Sequence, residues 1–222
     1  MLQLTPKECR VLGVLIEKAQ TTPQQYPLSL NALTSGCNQK NNREPITDLG
    51  EERVLETVDS LRTKGLAREV ILTGSRVQKF RHVAREVLEI GTSELVILAE
   101  LMLRGPQTIG ELKSRASRMH PLESTDIVKN VLDALMKRPE PMVQELSPAP
   151  GDRAPRYAQL LCPRLHPLDA PARSVVSDLG GGGSSGGSSD LANRVQELEH
   201  QVSELKQTVA RLSIALGEPA AS

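Results

Sequence analysis

The side chains able to do covalent or metal chemistry are few. The cysteines are Cys9, Cys37 and Cys162, an odd number at wide spacing with no C-x-x-C. That pattern fits reduced thiols better than a disulfide framework. The histidines are His82, His120, His166 and His200. None stands at ligand spacing from another histidine or a cysteine, so neither a metal site nor a cofactor is expected. Cys37 follows Gly36 at the end of a short helical stretch. No signature supplies it with a base, and it reads as a small buried hydrophobe. A Gly-rich phosphate loop after a strand, a G-K-[ST] loop and a G-x-S-x-G elbow are all missing. The expectation is a protein that is not an enzyme.

Recognition chemistry is better represented. The run Asn38-Gln39-Lys40-Asn41-Asn42 precedes Arg43. Amides can read adenine edges, and cations can hold phosphate. The same amides also satisfy backbone groups in tight turns. A second group, Arg76, Gln78, Lys79, Arg81 and His82, follows the turn Gly74-Ser75. It can bind phosphate, or simply keep a hairpin edge solvated. The candidate contact residues are Asn38, Lys40, Asn41, Arg43, Arg76, Lys79 and Arg81. If the turn is a contact patch, Lys40→Ala with Arg43→Ala should weaken partner binding and leave stability almost unchanged.

The elements that carry these residues occur twice. "SLNALTS" (29–35) matches "TIGELKS" (108–114), and "TVDSLRTKG" (57–65) matches "VLDALMKRP" (131–139). "QKFRHV" around Phe80 matches "PRYAQL" around Tyr157 in the same order. Such self-similarity marks two copies of one small unit. In the first copy Thr5, Pro6 and Glu8 open a helix with a capping box. Its apolar face is Val11, Leu12, Leu15 and Ile16; Leu95, Ile97, Leu98, Leu101 and Met102 are the equivalents. A short helix follows, capped by Ser29 or Thr108. A third carries Val54, Leu55, Val58 and Leu61, or Ile127, Val128, Val131, Leu132 and Leu135, and stops by Gly65 or Pro139. Two short alternating strands close each copy. Three helices and a hairpin predict a mainly α fold with small β-hairpin wings. The architecture expected is tandem winged helix-turn-helix domains, 1–90 and 91–162, plus a C-terminal coiled-coil helix.

Proline-rich sequence from Cys162 and then "GGGGSSGGSS" (180–189) read as a flexible linker over 163–190. Leu191, Val195, Leu198, Val202, Leu205, Val209, Leu212 and Leu216 then alternate in steps of four and three. Valine at three a positions and leucine at four d positions favour a parallel dimer over 191–216. A homodimer is therefore expected. No apolar run is long enough for a membrane span and no basic leader precedes one, so a cytoplasmic location is expected. No small-molecule ligand is evident.

"YPLSLNALTSGCNQKNNREP", "EERVLETVDSLRTKGLARE", "GSRVQKFRH" and "ELVILAELMLRGPQTIGELKSRASRM" together resemble the signature of the YceH family of bacterial proteins. The resemblance covers roughly residues 5 to 162. It implies a tandem winged-helix fold with no assigned activity, and it supplies no site residues. Gly50 departs from the serine-like cap expected before the third helix, though Gly caps nearly as well.

Charge divides the functional reading. Residues 1–90 carry 13 basic and 11 acidic side chains, and 91–162 carry nine of each. Neither copy is a basic footprint. Asp48, Glu51, Glu52 and Glu56 stand where a recognition helix meets DNA. The leading expectation is still a DNA-associated or regulatory protein meeting double-stranded DNA through its winged helices. The alternative is a protein–protein adaptor or dimer scaffold without DNA contact.

Overall fold

The structure is a computed structural model that describes residues 2–71, 77–148 and 154–166. Arg76 of the expected contact group and the whole 191–216 coil lie outside the described residues. The element order is α1 (Pro6–Thr21), β1 (Leu28–Ser29), α2 (Leu30–Cys37), α3 (Glu51–Thr63), β2 (Ala67–Val70) and β3 (Lys79–His82). It continues with α4 (Ala84–Leu88), α5 (Thr92–Arg104), α6 (Ile109–Ala116), α7 (Thr125–Met136), β4 (Val143–Leu146) and β5 (Arg156–Gln159). The chain is thus mainly helical with small antiparallel sheets. None of these helices is long and apolar enough to cross a membrane.

Local chemistry sets the helix ends. The Thr5 hydroxyl accepts from Glu8 N at 3.2 Å, and the Glu8 carboxylate accepts from Thr5 N at 2.7 Å. Thr108 and Glu111 repeat the box at α6. Ser29 and Ser124 cap α2 and α7 through their hydroxyls. Each such cap is worth about 1 kcal/mol. Gly50 caps α3 without a side chain.

The hairpin β2–β3 runs antiparallel, with Arg68 opposite Arg81 and Glu69 opposite Phe80. β1 adds a third strand, Leu28 facing Phe80 and Ser29 facing Lys79, in the order β1-β3-β2. Two strands per copy were expected; the short β1 is extra, because two residues carry no periodicity to read. The β4–β5 hairpin has two strands, and an isolated bridge from Gln107 to Tyr157 takes the place of β1. The correspondence between the halves therefore extends to the residue before the second helix.

A single hydrophobic core runs through both copies. α1 packs on α5, and Gly13 makes this possible: a Cβ there would lie 3.0 Å from the Leu103 side chain. Gly105, at φ +82°, turns the chain after α5 with the His166 ring against it. Proline-rich sequence suggests that linker character begins near Cys162, but the described chain stays packed to His166. Leu161 and Cys162 are core residues, and His166 Nε2–H donates to the Glu44 carbonyl at 2.6 Å. Proline lowers helix and strand propensity but does not stop an irregular segment from docking.

Candidate functional site

The turn after α2 divides the expected patch in two. Asn38 faces its own backbone: its Nδ2 donates to the Leu49 carbonyl and its Oδ1 accepts from Leu49 N, both at 2.8 Å. It thereby braces the residues leading to α3. Arg43 also points inward. Its side chain is 0 % exposed and pairs with Glu17 of α1 at 2.5 Å. Its Nε donates to the Gly36 carbonyl at 3.1 Å, and its Nη2 donates to the Gln39 amide oxygen at 2.8 Å. Lys40 and Asn41 are exposed. Asn42 is exposed beside them, but its side-chain oxygen accepts from Arg104.

Around Arg43 lies a buried charge network joining the copies. Arg118, just beyond α6, reaches Glu17 at 2.6 Å and Glu100 of α5 at 3.3 Å. Arg104 meets Glu100 at 2.8 Å and also bonds Asn42. Burial alone would raise the Glu17 carboxyl, but the Arg43 hydrogen bond, the Arg43 charge and then Arg118 outweigh it and hold it below the usual carboxylate range. The network is structural, and it uses Arg43 fully. Arg10, Gly13 and Glu17 share one stripe of α1, at helical spacing among buried aliphatics. That charged interruption of an apolar face is the signal that marks Glu17 as an interior partner.

The hairpin presents a different surface. Lys79 and Arg81 alternate with buried Phe80, so they share the outward face with Arg68, which stands opposite Arg81. Among the described residues, none of the three has an ion-pair partner. Like charges directly opposed on a sheet cost stability. Sequence reading singled out Lys79 and Arg81 but not Arg68, because strand register is needed to place it beside them. At the base of the hairpin a groove of about 330 Å³ is bordered by Tyr26, Arg81, His82 and Arg85. The Tyr26 hydroxyl accepts from His82 N at 2.6 Å, and burial presses the His82 imidazole down to about 4.

The outward face of α3 is acidic. Glu51, Glu52, Glu56 and Asp59 are exposed there with Arg53 and Arg62. Both arginines are engaged: Arg53 with Glu56 at 3.0 Å, and Arg62 with Asp59 at 2.8 Å and Glu69 at 3.1 Å. The face is net negative, with its cations held inside it.

A family model described as "Protein of unknown function, DUF480" matches residues 4–152. The chain belongs to this family. The matched span holds the first copy with its turn and acidic helix, and the second copy as far as residue 152, so the family resemblance is borne out. A UPF0502 protein of Shewanella halifaxensis is 42 % identical over 217 residues, covering 95 % of this chain and 99 % of the relative. One from Geotalea uraniireducens is 50 % identical over 173 residues, covering 77 % and 78 %. One from Geotalea daltonii is 51 % identical over 159 residues, covering 71 % and 72 %. Residues 1–189 fall short of 95 % of 222, so the Shewanella alignment continues into the heptad segment.

Among the described residues no group of three or more histidine, cysteine or acidic side chains is placed to hold a metal ion. Cys9, Cys37 and Cys162 are free thiols and buried.

Proposed function

We propose that this family member is a tandem winged-helix protein that acts without catalysis as a protein–protein adaptor. The outward face of α3 is its contact for a partner carrying basic side chains. The observation that carries this reading is the placement of Glu51, Glu52, Glu56 and Asp59 on the third helix of the first copy, with Arg53 and Arg62 already paired. In a winged helix that third helix is the one that enters the major groove. A net negative face there repels phosphate and suits a basic protein surface. The repeat of three helices and a hairpin, with the Gln107–Tyr157 bridge standing for β1, supports the winged-helix reading of both copies. The heptads from Leu191 to Leu216 support self-association, and the unpaired cysteine usage suits the cytoplasm.

The test is comparative capture. Glu51→Lys/Glu52→Lys/Glu56→Lys changes only exposed positions, so stability should move little. The wild-type chain used as bait should retain a partner that this triple variant loses at physiological salt. Retention of the same partners by both chains would remove α3 from the reading.

A second reading rests on a separate observation. Arg68, Lys79 and Arg81 share the hairpin's outward face and lack acidic partners among the described residues. Three such cations suit the phosphate backbone of double-stranded DNA, which keeps DNA-associated regulation as the alternative.

A further inference from the structure

On the first copy, the charges without an internal partner are sorted by place. Asp48, Glu51 and Glu52 stand at the start of α3, all exposed. Among the described residues none of them is in an ion pair; Glu51 accepts only from the Asn31 amide, at 3.2 Å. Along the rest of α3 the charges are already matched. Arg53 holds Glu56, and Arg62 holds Asp59 and reaches across to Glu69 of β2. Beyond that bridge comes the outward face of the hairpin, with Arg68 and Arg81 exposed and Lys79 half-buried. One face therefore runs from unpaired acids, through a matched middle, to unpaired bases.

The two ends belong to one continuous surface. An open groove of about 610 Å³ lies between the last turns of α3 and β2, bordered by Asp59, Thr63, Arg68 and Glu69. It sets Arg68 directly beside the matched middle. α3 has 13 residues, about 20 Å of helix, which holds the acidic end away from the cations. Both ends carry a cost. Arg68 faces Arg81 across β2 and β3, and like charges so placed repel. Asp48, Glu51 and Glu52 crowd in the same way, with the helix N-terminus to favour them.

A contact between two identical surfaces needs a patch that complements itself under a two-fold rotation. A row ordered acid, neutral, base does so. Turned end for end, it lays each acidic end on the other copy's basic end, and the groove at its middle falls near the axis. We propose that a second copy of this chain docks on this face, the start of α3 in each copy meeting the hairpin of the other. This rests on α3 being a protein contact, as proposed above, and names the partner. It does not use the heptad segment. Its attraction is between exposed charges, so salt weakens it.

The test uses the full chain. Equal amounts of isotope-labelled and unlabelled protein are mixed, left to exchange and treated with a carbodiimide, which joins a lysine to a carboxylate only where the two touch. Peptide mapping should find Lys79 joined to Glu51, Glu52 or Glu56 in products with one labelled and one unlabelled half, which only a link between chains can give. The yield should fall about tenfold between about 0.05 M and about 1 M salt. Glu51→Lys/Glu52→Lys/Glu56→Lys alone, or Arg68→Glu/Lys79→Glu/Arg81→Glu alone, should lose these links. Mixing the two variants should restore links between positions 51–56 of each chain and positions 68–81 of the other, because their charges again match. Random duplex DNA at equal concentration should leave the wild-type links in place; their loss to DNA would assign the hairpin to phosphate and overturn the pairing. Absence of the mixed Lys79 product in the wild-type chain, or of any link between the two variants when both melt as folded proteins, would also overturn it. If the α3 variant still loses a captured partner in that case, the adaptor reading stands with a different occupant; if capture is unchanged as well, both fall.

Discussion

Arg43→Met is expected to cost the fold about 3–5 kcal/mol, a fall in Tm on the order of 10 °C. The Arg43 side chain is fully buried and its guanidinium is the closest cation to Glu17. Removing it leaves a buried carboxylate with Arg118 alone, and it leaves the Gly36 carbonyl and the Gln39 oxygen without their donor. Each unmet group costs desolvation energy with no return. Lys40→Ala, at an exposed position, should stay within about 0.5 kcal/mol of wild type. This revises the expectation from sequence that the pair of alanine changes would leave stability almost unchanged; the Arg43 half of it carries the loss.

The same network sets an acid limit. The Glu17 carboxyl is lowered in the folded chain. A lowered carboxyl contributes stability that is present above its ordinary unfolded value and is lost as pH falls through the folded one. Wild-type stability should therefore decline below the usual carboxylate range. The decline should be shallower in Arg43→Met, where that carboxyl loses its strongest partner. Urea unfolding at pH 7 and again below pH 4 would measure both effects.

Phe80→Ala should cost about 3–5 kcal/mol, the range for deleting a buried aromatic. Phe80 is buried and faces Leu28 across β1 and Glu69 across β2. It is the side chain through which the central strand of the sheet meets the core beside α1. The cavity would open under the hairpin, so amide exchange should rise first in β1, β2 and β3. Unchanged exchange there would mean that the hairpin is held from elsewhere.

Much of the fold was readable because its signals are local. The Thr5/Glu8 box, the Ser29 and Thr108 caps and the helical stripes each lie within a few residues. The repeat then reinforced every assignment. What escaped depends on distance along the chain. β1 has only two residues, and its pairing with β3 brings Leu28 to Phe80. α4 is five residues long and has no apolar period to reveal it. Arg43 follows a run of amides and looks like surface until Glu17, on another helix, is placed beside it. Arg68 joins Lys79 and Arg81 only through strand register. Cys162 stands in sequence that reads as linker, and it is the packing of Leu161 and His166 that holds it in the fold. For the site the outcome was mixed: Lys40, Asn41, Lys79 and Arg81 are on or near the surface, while Asn38 and Arg43 serve the turn itself.

The central claim is that the acidic α3 face excludes DNA and receives a protein. Titrating the full chain with labelled random duplex DNA, from low to physiological salt, tests it most directly. Little binding by the wild-type chain at low salt, with binding gained by Glu51→Lys/Glu52→Lys/Glu56→Lys, is the predicted result. Tight wild-type binding that weakens steeply with salt and is lost on Arg68→Ala/Lys79→Ala/Arg81→Ala would contradict it and make the hairpin a DNA contact.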